Sequence, residues 1–137
     1  METITSRHNP LVAHLRRLAS SGSYRRERGE FLCDSPKLLH EALLHGAELL
    51  TVAATRGMAL PDGIHAGVRL VEVPEDVMQL ISPAKTPQGV VFTCRLPRTE
   101  CPQTLTGARY LALDGVQDPG NVGTILRTLD AFEADGL

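Results

Sequence analysis

The stretch Asp114-Gly115-Val116-Gln117-Asp118-Pro119-Gly120-Asn121-Val122-Gly123, followed by Arg127-Thr128, holds the residue types and spacing that could do chemistry. A turn-rich loop leads into a helix, whose first N–H groups are free to take an anion. Gly120 and Gly123 allow a ligand or a second backbone to come close. Arg127 lies one turn beyond Gly123 and off the apolar stripe of the helix. Long helical side chains lean toward the amino end, so its guanidinium is expected over Gly123, facing the loop. There it could clamp a phosphate through two hydrogen bonds. The same spacing also fits an ordinary helix, with Asn121 as its cap and Arg127 paired to Asp130. Two nucleotide signatures are excluded: no G-x-x-x-x-G-K and no G-x-G-x-x-G is present.

A second feature is electrostatic. The chain has 137 residues and a net charge of −2, yet residues 1–28 hold Arg7, Arg16, Arg17, Arg25, Arg26 and Arg28 against only Glu2 and Glu27. That end carries +4 and the remainder −6. A basic end on an acidic body suits an anionic polymer, RNA or DNA, and also suits a solvated helix face. Aromatic residues make up 4% and there is no Trp, so a base-stacking platform is poorly supplied. Cys33, Cys94 and Cys101 form no C-x-x-C, and the five His form no H-x-x-x-H pair, which argues against a disulfide framework and a metal site. No apolar run approaches the roughly 20 residues that span a bilayer, and the amino end lacks an apolar signal core. The expected compartment is the cytoplasm, with no membrane partner.

The elements that would position these residues alternate. Asn9-Pro10 opens a helix carrying Leu11, Val12, Leu15 and Leu18, and Ser20 to Ser23 interrupts it before the basic run Tyr24–Arg28. Phe31–Cys33 reads as a strand, and Ser35-Pro36 opens a second helix with Gly46 as its carboxy-terminal cap. Leu49–Ala54, Val68–Val73 and Gly89–Cys94 read as strands, Thr55–Gly67 as loop, and Pro74–Leu80 as a short helix. Residues 1–96 therefore predict a small α/β/α domain, with helices on both faces of a sheet. Residues 97–107 are polar, with Pro97, Pro102 and Gly107, and read as a linker.

The pattern restarts at 108–137. Tyr110–Leu113 reads as a strand, and the helix after the loop puts Val122, Ile125, Leu126, Leu129 and Phe132 on one face, closing at Asp135-Gly136. A unit of about 30 residues cannot cover both faces of its strand. The expectation is that the chain stops inside a domain, with Leu137 as the first residue of the next strand.

The run Asp114–Gly123 with Arg127-Thr128 closely resembles the first motif of the SpoU-type RNA 2′-O-ribose methyltransferases, in the SPOUT superfamily. Ile4–Pro10, Arg25–Asp34 with Lys37-Leu38-Leu39 and Glu41-Ala42, and Ser82–Gly89 resemble that family's upstream segments, in order. Ser35 departs from it, since many relatives carry Gly there, and the second and third motifs are absent. The resemblance implies that residues 1–96 are an RNA substrate-binding domain similar to certain ribosomal proteins. It implies that 108–137 are the first strand–loop–helix unit of a knotted (SPOUT, α/β knot) methyltransferase domain.

On that resemblance, Arg127 and Asn121 are catalytic-site residues and S-adenosylmethionine is the cofactor, its pocket lying mostly in motifs not present. The substrate is structured RNA, ribosomal or transfer, and family members form homodimers. A guanidinium with a pKa above about 12 is a poor base, so Arg127 is assigned to holding a phosphate or the developing alkoxide. Asn121 is either a cap alone or a cap that also orients the ribose. RNA contacts are expected from Arg7, Arg16, Arg17, Arg25, Arg26 and Arg28. The alternatives are a non-catalytic RNA-binding remnant and an unrelated nucleotide-binding α/β protein using Gly120 and Gly123.

Overall fold

The computed structural model describes residues 1–97 and 103–137; Cys101 and the middle of the expected linker lie outside the described residues. The chain divides into two compact units, residues 1–98 and 99–137.

The first unit is a mixed five-stranded sheet with helices on both faces. Its strands are β1 (Glu2–Thr3), β2 (Glu30–Asp34), β3 (Leu49–Thr55), β4 (Arg69–Val73) and β5 (Val90–Arg95). They lie in the order β1-β4-β3-β5-β2. β1, β4 and β3 are parallel, while β5 runs antiparallel to both β3 and β2. The helices are α1 (Pro10–Ser20), α2 (Gly22–Arg28), α3 (Pro36–Leu44) and α4 (Glu75–Ile81).

Alternation along the central strands builds two cores. Ala53, Val71 and Val91 face α1 and α4, packing with Leu11, Val12, Leu15, Val77, Met78 and Ile81. Val52, Ala54, Val90, Phe92 and Cys94 face the other way, onto Leu39 of α3. Fully burying an aliphatic side chain of this kind contributes about 1.5–3 kcal/mol.

The helix starts follow the residues. Asn9 Oδ1 accepts from the Leu11 N–H at 2.8 Å, and Pro10 takes the first helical position. Gly46 ends α3 at φ +67, where the Ala47 N–H reaches the Ala42 carbonyl at 2.8 Å. Two details differ from the sequence reading. Ser20 to Ser23 is a junction rather than a break: Ser21 caps α2, so the basic run is helical up to Gly29 at φ +63. β1 was not legible because two residues show no period; it adds to the sheet by pairing with Val71 and Glu72.

Ser35 also caps its helix, its Oγ accepting from the Leu38 N–H at 3.2 Å, but its backbone sits at φ 128, ψ 147. That region is essentially open only to Gly and costs other residues about 1–3 kcal/mol. Replacing a Ser cap by Gly costs only a few tenths of a kcal/mol. Ser35→Gly is therefore expected to stabilise the protein by about 1 kcal/mol, raising Tm by roughly 4–8 °C. Thermal melting followed by circular dichroism checks this.

The second unit contains α5 (Pro119–Ala131) and, in place of the expected strand Tyr110–Leu113, a single parallel bridge from Tyr110 to Gly136. A strand is defined by a continued hydrogen-bonded ladder, and this bridge has two bonds, from the Leu111 N–H to the Gly136 carbonyl at 3.1 Å and from the Asp135 N–H to the Arg109 carbonyl at 2.8 Å. The bridge falls one residue before Leu137, where the sequence reading starts the next strand. α5 ends at Ala131 rather than at Asp135-Gly136, because Glu133 turns left-handed at φ 51 and the Ala134 N–H returns to the Leu129 carbonyl. None of its five apolar stripe residues is buried. The Asp135 carboxyl accepts from the Arg109 and Ala108 N–H groups, which hold it below the usual carboxylate range.

Candidate nucleic-acid interface

The arginines of the amino end sort into two groups. Arg7 pairs with Asp76 at 2.7 Å, as Arg69 pairs with Glu2 and Arg95 with Glu48 elsewhere in the unit. Arg25 turns inward, its Nη1 donating to the Leu18 carbonyl at 2.7 Å and so closing the end of α1. Arg16, Arg17, Arg26 and Arg28 are exposed, and among the described residues none of them makes an ion pair. All four lie on the consecutive helices α1 and α2.

Arg25 thus differs in kind from its neighbours. A hydrogen bond from a charged donor is worth about 1.5–3 kcal/mol. Arg25→Ala should lower stability by about that amount in urea unfolding, whereas Arg26→Ala should cost less than about 1 kcal/mol.

Sequence reasoning missed a polar chain behind these helices. The Tyr24 hydroxyl and His14 Nδ1 are 2.9 Å apart, and His14 Nε2 lies 3.0 Å from Glu30 Oε2. Arg17 stacks its guanidinium on the Tyr24 ring, 3.9 Å from the centroid. The Glu30 carboxylate is thus engaged at Oε2. Tyr24 is one of two tyrosines in the chain and stands directly before Arg25-Arg26, and that placement was the available signal.

The motif loop and α5 are built differently from the sequence expectation in one respect. Asp118, not Asn121, caps the helix: its Oδ1 accepts from the Gly120 N–H at 2.7 Å, and Pro119 takes the first position. Asn121 falls inside the first turn, exposed, and among the described residues its side chain makes no hydrogen bond. Arg127 does lie over Gly123, where a Cβ would meet its Nη1 at 3.5 Å. Its Nη2 donates to Thr124 Oγ1 at 3.2 Å. The guanidinium points back toward the loop, and among the described residues it is not paired with Asp130. Asn121 and Arg127 therefore both have polar atoms free at the exposed amino end of α5.

The remaining reactive groups are quiet. The Cys94 thiol is pushed up to about 11, by burial first and by Cys33 second, and Cys33 is raised by burial and by Asp34. Both shifts favour the thiol over the thiolate. Among the described residues no cluster could hold a metal ion, and no helix is long and apolar enough to cross a membrane.

The family model of the MRM3-like substrate binding domain matches residues 9–91. The chain belongs to that family. The matched span runs from the start of α1 into β5, and so includes β2, β3, β4 and the four free arginines of this unit. Among its relatives is the 23S rRNA (guanosine(2553)-2′-O)-methyltransferase RlmP of Bacillus subtilis, 28% identical over all of this chain and 54% of that protein. Another is the mitochondrial rRNA methyltransferase 3 of Xenopus tropicalis, 33% identical over 80% of this chain and 29% of that one. The crystal structure of an AdoMet-bound rRNA methyltransferase from Sinorhizobium meliloti is 32% identical, with a TM-score of 0.74 over 98% of this chain and 52% of that one. These relatives bear out the SpoU-type resemblance of the sequence. The chain spans about half the length of the RlmP and Sinorhizobium proteins.

Proposed function

We propose that the protein carrying this sequence transfers a methyl group from S-adenosylmethionine to a ribose 2′-hydroxyl of ribosomal or transfer RNA, in the cytoplasm and as a homodimer. The observation that carries this reading is the likeness to the AdoMet-bound rRNA methyltransferase of Sinorhizobium meliloti, which extends over 98% of the chain and includes the motif helix. Residues 1–96 hold the RNA through Arg16, Arg17, Arg26 and Arg28. At the motif, Arg127 holds a phosphate or the developing alkoxide, and Asn121, free of any capping duty, orients the ribose. The loop and first turn of α5 are exposed, and a cavity of this unit is lined by Tyr110–Ala112 and Asp135–Leu137. S-adenosylmethionine, when bound, supplies the methyl group.

The test is transfer of labelled methyl from S-adenosylmethionine to rRNA and tRNA transcripts by the product of the whole reading frame. Ribose methylation of either RNA supports the reading, and base methylation or none overturns it.

A second reading, RNA binding without chemistry, is favoured by the contrast between the units: 1–98 has two packed cores, while α5 buries none of its residues. On that reading Arg127→Ala leaves all measurable function intact.

A further inference from the structure

A groove of about 600 Å³ runs along the last turns of α1, between that helix and the turn after α4, and is lined by Arg16, Arg17, Ser20, Leu80, Ser82 and Pro83. The volume is within the range of about 300–1,000 Å³ common to small-ligand clefts. Its lining includes Arg16 and Arg17, successive residues of α1, with no acidic partner among the described residues. Ala13 and Leu80 supply aliphatic surface beside them. The far wall is fixed, because Ser82 Oγ donates to the Asp34 carboxylate and accepts from the Ala84 N–H at 3.0 Å.

We propose that this groove seats one unstacked nucleotide of an RNA strand, with its phosphate on Arg16 and Arg17 and its sugar and base edge against Ala13, Leu80 and Pro83. A guanidinium matches a phosphate by charge and by fork geometry. An aliphatic wall accepts a ribose or base without reading its identity. The proposal rests on the RNA-binding reading above and says where on the domain the strand enters.

Arg17 is held in advance for that contact. Glu30 is an acceptor-only carboxylate, so a neutral His14 donates to it from Nε2–H and accepts the Tyr24 O–H at Nδ1. The Tyr24 ring, anchored through its hydroxyl, then carries the Arg17 guanidinium at 3.9 Å. Stacking occupies one face of the guanidinium and leaves its N–H edges free. Ordering a long side chain on binding costs conformational entropy, and this arrangement meets that cost before RNA arrives. Tyr24, His14 and Glu30 are thus positioning residues that act through Arg17.

The test measures affinity of the 137-residue chain for a hairpin RNA with a single-stranded loop, and for a blunt duplex of equal length, by fluorescence anisotropy. Ala13→Glu puts a carboxylate into the groove from an exposed helical position and should weaken hairpin binding about tenfold with Tm unchanged. Ser20→Glu does the same from a second exposed position, should Ala13→Glu fail to fold. His40→Glu, exposed on α3 across the sheet, is the charge control and should change affinity less than about twofold. Tyr24→Leu should weaken binding about threefold in the parent and not at all in Arg17→Ala. The duplex should bind more weakly than the hairpin.

A folded Ala13→Glu or Ser20→Glu variant that binds the hairpin as the parent does overturns the groove, while RNA binding elsewhere stands. A duplex that binds as tightly as the hairpin overturns the unstacked nucleotide. Equal loss from Tyr24→Leu with and without Arg17 overturns the positioning role. Polyglutamate that displaces the hairpin as effectively as RNA does overturns RNA as the occupant in favour of an acidic peptide. A parent chain that binds neither RNA overturns the RNA reading itself.

Discussion

Replacing Arg16, Arg17, Arg26 and Arg28 together by glutamine is expected to lower RNA affinity by about a thousandfold near 0.1 M salt, with the slope of log K against log salt flattening by roughly three. Each phosphate contact releases condensed counterions, so losing four contacts removes most of the salt dependence together with most of the affinity. The counterpart set, Arg7, Arg69 and Arg95, should change affinity less than about threefold when mutated alike. Those three are spent on Asp76, Glu2 and Glu48, and exposed pairs of this kind are worth about 0–1 kcal/mol to the fold. Arg26 and Arg28 sit in the last turn of α2, where positive charge also favours the helix. A purely helical role would show as lost stability at constant affinity. Titrations at several salt concentrations, run beside thermal melts, separate the two. Loss of affinity from the paired set equal to that from the free set would remove the sorting of arginines as an explanation.

That sorting marks the boundary of what the sequence discloses. Local signals carried well. Asn9-Pro10 and Ser35-Pro36 each announce a helix start, and Gly46 an end, because cap, proline and left-handed glycine act within a turn of one another. The same signature stood in Asp118-Pro119, and it outweighed Asn121, which lies three residues later and reads as a cap only if the proline is treated as loop. What remained hidden was long-range. Arg7 meets Asp76 from 69 residues away, and no periodicity marks that pair. The Tyr24–His14–Glu30 chain joins α1, α2 and β2, three elements whose packing fixes which polar groups meet. Ser35 is the instructive middle case. The departure from glycine is visible in the sequence, but its consequence, a backbone at φ 128, is visible only in the fold.

Arg127→Ala is expected to reduce methyl transfer by the product of the whole reading frame about 10²–10³-fold, the usual effect of removing one preorganised donor from developing charge. RNA affinity of the 137-residue chain should fall by less than about threefold, because on the proposed reading most phosphate contacts come from the free arginines of α1 and α2. The effect should therefore fall on kcat rather than on KM for RNA. Arg127→Lys separates charge from shape. It keeps the positive charge and loses the planar fork, so it should recover less than about a tenth of the lost rate if the clamp is bidentate. Gly123→Val tests the path of the side chain without touching its charge. Even a methyl at Gly123 would lie 3.5 Å from Arg127 Nη1, and the branches of valine reach further into the space the guanidinium crosses. That substitution should cost about tenfold in rate, since a displacement near 1 Å is enough to spoil a reacting geometry. If Arg127→Ala transfers methyl at the parent rate, α5 is scaffold, and the non-catalytic reading of this segment prevails.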